Sequence, residues 1–174
     1  MDRGKAICQE LKKAGIHHIV WLPDSETHFI HAAMLGDPEM KVVQVCREGE
    51  AVAICAGLHL GGKRGAVLVE NQGLFDSGNE LKWAIRLNLP MLLLVGYLGY
   101  KHLQSPPQAG ASSLFQGRGQ DYTEPFLRAF DISYYLVNSN EDVSLVESAC
   151  EEAWQTLKPV ALLLTSADDY VPGT

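Results

Sequence analysis

Residues 41–69 read KVVQVCREGEAVAICAGLHLGGKRGAVLV, and this stretch decides the fold. Lys41 to Cys46 is a short apolar run of strand length. Glu48 to Leu60 then places Ala51, Val52, Cys55 and Leu58 on one helical face. Gly61-Gly62 ends that helix, and Gly65 to Val69 is a second strand-length run. Strand, helix and strand in direct succession are the building unit of a parallel sheet.

Working outward, the same alternation continues in both directions. Before it, residues 2–14 have helical spacing and stop at Gly15, Ile16 to Leu22 reads as a buried strand, and Pro23-Asp24-Ser25 is a turn that caps a helix over Glu26 to Leu35. After it come a polar loop, Glu70-Asn71-Gln72-Gly73, a helix over Asp76 to Leu87, and the most hydrophobic strand, Pro90 to Val95. Residues 97–121 are rich in glycine and proline and lack periodicity, which marks a functional or interface loop. A short helix (Tyr122 to Phe130), a strand (Ile132 to Leu136), a helix (Glu141 to Leu157) and a last strand (Pro159 to Leu164) complete the order. The expectation is a single α/β domain over residues 1–174, three layers deep, around a mostly parallel six-stranded sheet. Ligands of such sheets lie at the carboxyl ends of the strands, so Asp24-Ser25, Arg47-Glu48, Glu70 to Gly73 and the segment after Gly96 are the places to look.

Composition narrows the function. The 174 residues are 47% hydrophobic and 20% charged, which fits a globular domain and excludes a disordered or fibrous one. A net charge of −7 is a poor footprint for nucleic acid. The apolar run from Met91 to Val95 is far too short for a membrane helix, and the amphipathic start MDRGKAICQELKK is no signal peptide, so a cytoplasmic protein is expected. Cys8, Cys46, Cys55 and Cys150 form no CxxC pair and are expected to be reduced structural residues.

Several familiar motifs fail on inspection. Gly57 to Arg64, GLHLGGKR, approaches a phosphate-binding loop, but Arg64 replaces the hydroxyl residue and the glycines close a helix instead of opening one. Neither GxGxxG nor GxSxG occurs. His28 and His31 share a helix face without a third ligand and read as solvated residues, and His17-His18 reads as one packed and one edge residue of the first strand.

What remains is Cys46-Arg47-Glu48-Gly49-Glu50, where a glutamate leaves a buried strand and opens an alanine-rich helix that reaches Ala56-Gly57. Glu50 is accounted for by the helix dipole. Glu48 lies at the strand's carboxyl end, where a ligand belongs. Asp24 and Ser25 fit equally a helix cap and a polar contact to substrate, Gly73 a turn or a pocket wall, and Asn79 a helix surface or a pocket.

In these residues the chain resembles the pyrimidine-binding (PYR) domain of thiamine-diphosphate-dependent 2-oxoacid decarboxylases, and within them the phosphonopyruvate and sulfopyruvate decarboxylases. The acidic residue after an arginine with Ala-Gly farther along the helix, Pro23-Asp24-Ser25, Asn71-Gln72-Gly73-Leu74 with Asn79, Gly117-Arg118-Gly119 and Pro159 to Leu164 carry the resemblance in order along nearly the whole chain. It implies that Glu48 hydrogen-bonds N1′ of the cofactor's aminopyrimidine, in a partly apolar site that favours proton sharing. It implies that Ser25 and Asp24 serve catalysis, and that Gln72, Gly73 and Asn79 line the cofactor pocket. The arginine that these relatives carry just after the fourth strand is replaced here by Gly96-Tyr97-Leu98-Gly99-Tyr100, which leaves the specific 2-oxoacid, and decarboxylation against carboligation, open.

The sequence also has no Gly-Asp-Gly, the family's Mg²⁺ and diphosphate anchor; its only Gly-Asp is Gly36-Asp37. The resemblance therefore implies a PYR-type (alpha) subunit that completes its site in a hetero-oligomer with a diphosphate-binding (PP-type, beta) subunit holding the Mg²⁺. The 97–121 loop and the Asp76 to Leu87 helix are the expected contact surface. The alternatives are a non-catalytic or regulatory α/β domain with the same fold, a thiamine-diphosphate-dependent carboligase or acyl-transfer subunit, and a stand-alone homo-oligomeric enzyme of unrelated mechanism. A chain of 174 residues has room for one sheet domain, and on this reading it is half an enzyme.

Overall fold

The computed structural model describes residues 2–100 and 122–165. Its centre is a six-stranded sheet built from β1 (Ile16–Trp21), β2 (Lys41–Gln44), β3 (Arg64–Glu70), β4 (Met91–Gly96), β5 (Tyr134–Val137) and β6 (Pro159–Leu164). The order is β2-β1-β3-β4-β6-β5 and every pairing is parallel. The expected mostly parallel sheet is thus fully parallel, with helices on both faces.

Strand residues alternate between two cores, as the two-residue period requires. Ile19, Ala66, Leu68, Leu92, Leu94 and Leu162 pack under α1 (Arg3–Lys13), α2 (His28–Met34) and α7 (Leu145–Thr156). Val20, Val67, Val69, Leu93, Val95 and Leu163 pack under α3 (Glu48–Leu60), α4 (Asn71–Asp76), α5 (Gly78–Arg86) and α6 (Thr123–Ala129). Because β4 and β6 are covered on both sides, all their residues are buried, which is why they read as unbroken apolar runs. β2 lies at the sheet edge and is largely exposed. Among the described residues no helix is long and apolar enough to cross a membrane.

Several elements depart from expectation: β2 ends at Gln44 and β5 spans Tyr134–Val137, and in the helical departures side-chain bonds override local pattern. Asn71 to Gly73 is not a loop: α4 starts directly after β3, because Asn71 is buried and its Nδ2 donates to Thr123 Oγ1 and to the Leu98 carbonyl. α4 then breaks at Ser77, whose buried hydroxyl donates to the Gly73 carbonyl, and α5 follows from Gly78. α2 begins at His28, two residues later than read, because Asp24 binds the Thr27 amide and closes the preceding turn. The helix read over Glu141 to Leu157 divides into a 3₁₀ turn (Glu141–Ser144) and α7, the turn being held by Asp142, which accepts from the Asn138 and Ser139 amides. The segment 101–121, with Gly117-Arg118-Gly119, lies outside the described residues, so the contact surface expected there stays a sequence expectation.

Cys8, Cys55 and Cys150 are free and buried, while Cys46 is free and exposed. Burial is the leading cause that raises all three buried thiols, Cys8 to about 11 and Cys150 to about 12.

Candidate functional site

The sheet reverses its order at β1, which sends the chain to β2 on one side and receives β3 on the other. Such a reversal opens a crevice at the carboxyl ends of the strands. Three carboxylates converge there: Asp24 just past β1, Glu48 past β2 and Glu70 at the end of β3. Their mutual influence is visible in the proton affinities of Asp24 and Glu70. Burial holds the Asp24 carboxyl above the ordinary aspartate range, against the pull of its bonds to Thr27, and the charge of Glu48 adds to the rise. Burial likewise raises Glu70, followed by the charges of Asp24 and Glu48.

Glu48 is the first residue of α3 and is half-buried beside the buried side chains of Val45, Ala51 and Val52. Glu50, on the same first turn, folds back to accept from the Cys46 amide at 3.2 Å, so its carboxylate serves the helix end. No hydrogen bond or ion pair among the described residues occupies the Glu48 carboxylate. Gly73 of α4 lies directly on it: a β-carbon at Gly73 would come within 2.8 Å of Glu48 Oε1 and closer still to Cγ. The start of α3 is fixed from two further sides. Arg47 pairs with Asp76 at the end of α4 at 3.3 Å, and the Glu80 carboxylate of α5 packs so tightly on Gly49 that a β-carbon there would lie 2.7 Å from Glu80 Cδ.

Asp24 is engaged in local structure. Its Oδ1 accepts from the Thr27 amide at 2.7 Å and its Oδ2 from the Thr27 hydroxyl at 2.6 Å, while Thr27 Oγ1 accepts from Trp21 Nε1 at 2.9 Å. This chain of bonds ties the end of β1 to the start of α2. Its neighbour Ser25 is exposed. Glu26 is buried against Gly96, where a β-carbon would fall 2.7 Å from Glu26 Cβ.

The expected site residues therefore separate into groups. Glu48, Asp24 and Gly73 come together, with Gln72 exposed on α4 beside Gly73. Asn79 is exposed on α5 and accepts from Lys82 at 3.1 Å, whereas its neighbour Glu80 packs on Gly49 of α3. Glu70 was read as part of a loop, although its position at a strand's carboxyl end was a usable signal. His31, read as solvated, stacks on Trp21 with ring centroids 3.8 Å apart.

Comparison with known proteins bears on this geometry. Sulfopyruvate decarboxylase subunit alpha of Methanococcus maripaludis is 24% identical over 166 residues, spanning 94% of this chain and 95% of that one. The subunit of the same name from Methanocaldococcus jannaschii is 29% identical over 160 residues, spanning 91% and 90%. Sulfopyruvate decarboxylase of Methanosarcina acetivorans is 26% identical over 165 residues, which cover 91% of this chain but only 39% of that longer protein. Residues 1–123 match the family described as thiamine pyrophosphate enzyme, N-terminal TPP binding domain, and with well over half of its length inside that match the chain belongs to this family.

Proposed function

We propose that the chain is the alpha-type subunit of a thiamine-diphosphate-dependent decarboxylase acting on a 2-oxoacid that carries a second anionic group, as sulfopyruvate and phosphonopyruvate do. The observation that carries this reading is Glu48: a half-buried carboxylate at the ligand edge of a parallel sheet, with no partner among the described residues. The residues present fit an aminopyrimidine. Gly73 lets the Glu48 side chain lie directly against α4, where a β-carbon would displace it, and Val45, Ala51 and Val52 are buried neighbours in the chain.

When bound, thiamine diphosphate supplies the carbon centre that accepts the electron pair released with CO₂. Glu48 would contribute a carboxyl oxygen that shares a proton with N1′ of the aminopyrimidine. Gly73 holds α4 against that carboxyl and so fixes its direction. Gln72, next to it on the exposed side of α4, lines the approach to the cofactor. Asp24 orients the β1–α2 turn through Thr27 and places Ser25 at the open side of the crevice, where a hydroxyl is available to the substrate carboxylate.

The partner on this reading is a PP-type beta subunit in the same cytoplasm, bearing the Gly-Asp-Gly absent here and with it the Mg²⁺ that anchors the diphosphate. Two considerations support a partner: the relatives named above are called alpha subunits, and the matched region occupies only 39% of the longer Methanosarcina acetivorans protein. The test is calorimetric titration of thiamine diphosphate with Mg²⁺ into this chain alone and into its mixture with a Gly-Asp-Gly-bearing subunit, followed by CO₂ release from sulfopyruvate, phosphonopyruvate and pyruvate. Tight binding and CO₂ release only in the mixture support the reading. Absence of binding in both samples favours a non-catalytic α/β domain.

A further inference from the structure

At the opposite, amino end of the sheet is a groove of about 480 Å³, lined by Lys13, Ala14, Gly15, His17, His18, Gly62, Lys63 and Arg64. It lies one strand length, about 20 Å, from Glu48. Its volume falls in the range that takes a metabolite-sized ligand.

The lining is built from three separate elements, and its charge is one-sided. The end of α1 brings Lys13, the start of β1 brings the two histidines, the turn after α3 brings Lys63, and the first residue of β3 is Arg64. Among the described residues that line it none is acidic, in a chain whose net charge is −7. A regular strand would send His17 and His18 to opposite faces. Here the register of β1 against β3 shifts between Ile16 and His18, and both histidines line the same groove.

Arg64 is held in place without an anionic partner among the described residues. Its Nη1 donates to the Ala14 carbonyl at 2.8 Å and its guanidinium lies 4.8 Å from the Trp154 ring centroid. The Lys63 amide donates to the Leu58 carbonyl at 2.8 Å, while its ammonium has neither ion pair nor hydrogen bond among the described residues. Lys13 is paired with Glu10 at 2.7 Å. His17 Nδ1 is 3.2 Å from the Glu39 carbonyl. Burial lowers the proton affinity of His18, and the charges of Lys41, Lys63 and His17 lower it further, as a cationic environment must.

We infer that this groove binds a phosphate-type oxyanion, with Lys63 and Arg64 neutralising its charge and His17 and His18 hydrogen-bonding its oxygens. Arg64 is positioned before the ligand arrives and presents the fork of donors that suits phosphate. The groove is at the end of the sheet opposite Glu48, and its ligand is independent of the function proposed above.

The experiment follows the histidine ring resonances of the full chain by NMR, assigned with His17→Gln and His18→Gln, during titration with inorganic phosphate, glycerol phosphate and, at matched ionic strength, chloride. Saturable shifts of His17 and His18 are expected with the phosphates and not with chloride, and Lys63→Glu should weaken the half-saturation concentration at least tenfold. Tighter binding of the ester assigns the groove to a phosphorylated small molecule, and equal binding assigns it to free phosphate. Absence of a saturable shift, an equal response to chloride, or unaltered binding by Lys63→Glu overturns the inference.

Discussion

Glu48 and Gly73 are in direct contact across the α3–α4 junction, with no room for a β-carbon between them. The position of the carboxylate is therefore set by a residue on another helix. Gly73→Ala must push either α4 or the Glu48 side chain aside. The expected cost is about 1–3 kcal/mol, the usual range for overpacking, seen as a Tm lower by about 2–4 °C per kcal/mol. Activity of the assembled enzyme should fall by more than stability explains, which a Gly49→Ala control on the other side of the helix start separates.

Asp24 acts through Thr27, because both of its oxygens accept from that residue. Asp24→Ala should destabilise the chain by about 1 kcal/mol, as loss of a helix-entry bond does. Asp24→Asn keeps one acceptor and should recover much of this in a denaturant melt. A pH–rate profile that is unchanged in Asp24→Asn identifies Asp24 as a positioning residue, whereas a displaced profile assigns it a proton-carrying role.

Glu70 gives a pH-dependent signature. Its carboxyl is raised by burial and by Asp24 and Glu48, so the folded chain binds this proton more tightly than the unfolded chain. Stability is thus lost as pH rises from the ordinary glutamate range through the raised folded value, and the loss is complete above it. Glu70→Gln should raise Tm at neutral pH by about 1–2 °C, a figure reduced for solvent screening. The gain should vanish at a pH below the ordinary glutamate range, and a gain that persists there would contradict the electrostatic cause.

The cysteines report on the core. Cys46 is exposed, whereas Cys8, Cys55 and Cys150 are buried with raised thiols. A thiol reagent should modify Cys46 rapidly and the other three only on unfolding. Rapid modification of more than one thiol in the native chain would contradict the packing of α1, α3 and α7.

The sheet was legible because its signals are local. β4 and β6 are apolar runs that only a doubly covered strand requires, and Gly15 and Gly61-Gly62 mark helix ends in the sequence itself. Glu48 was legible for the same reason, since its place between strand and helix can be counted. What escaped the sequence depends on partners far along the chain. Asn71 is helical and buried with its Nδ2 donating to Thr123 and Leu98, and a polar Asn-Gln-Gly run carries no sign of either partner. The contacts of Gly73 with Glu48 and of Gly49 with Glu80 are likewise tertiary, so the glycines alone read as turn or helix residues. The opposed fates of the neighbours Asn79 and Glu80 follow from the rotation of α5, which the break at Ser77 sets.

The central claim rests on the Glu48 carboxyl, and Glu48→Gln tests it most directly. The substitution keeps size and hydrogen-bonding capacity while removing the ionisable proton site. CO₂ release per assembled enzyme, with saturating thiamine diphosphate and Mg²⁺ and with the Tm of the subunit measured alongside, is the decisive readout. The account predicts a fall of about 10²–10⁴-fold with an unchanged Tm. Near-normal turnover in Glu48→Gln would contradict it.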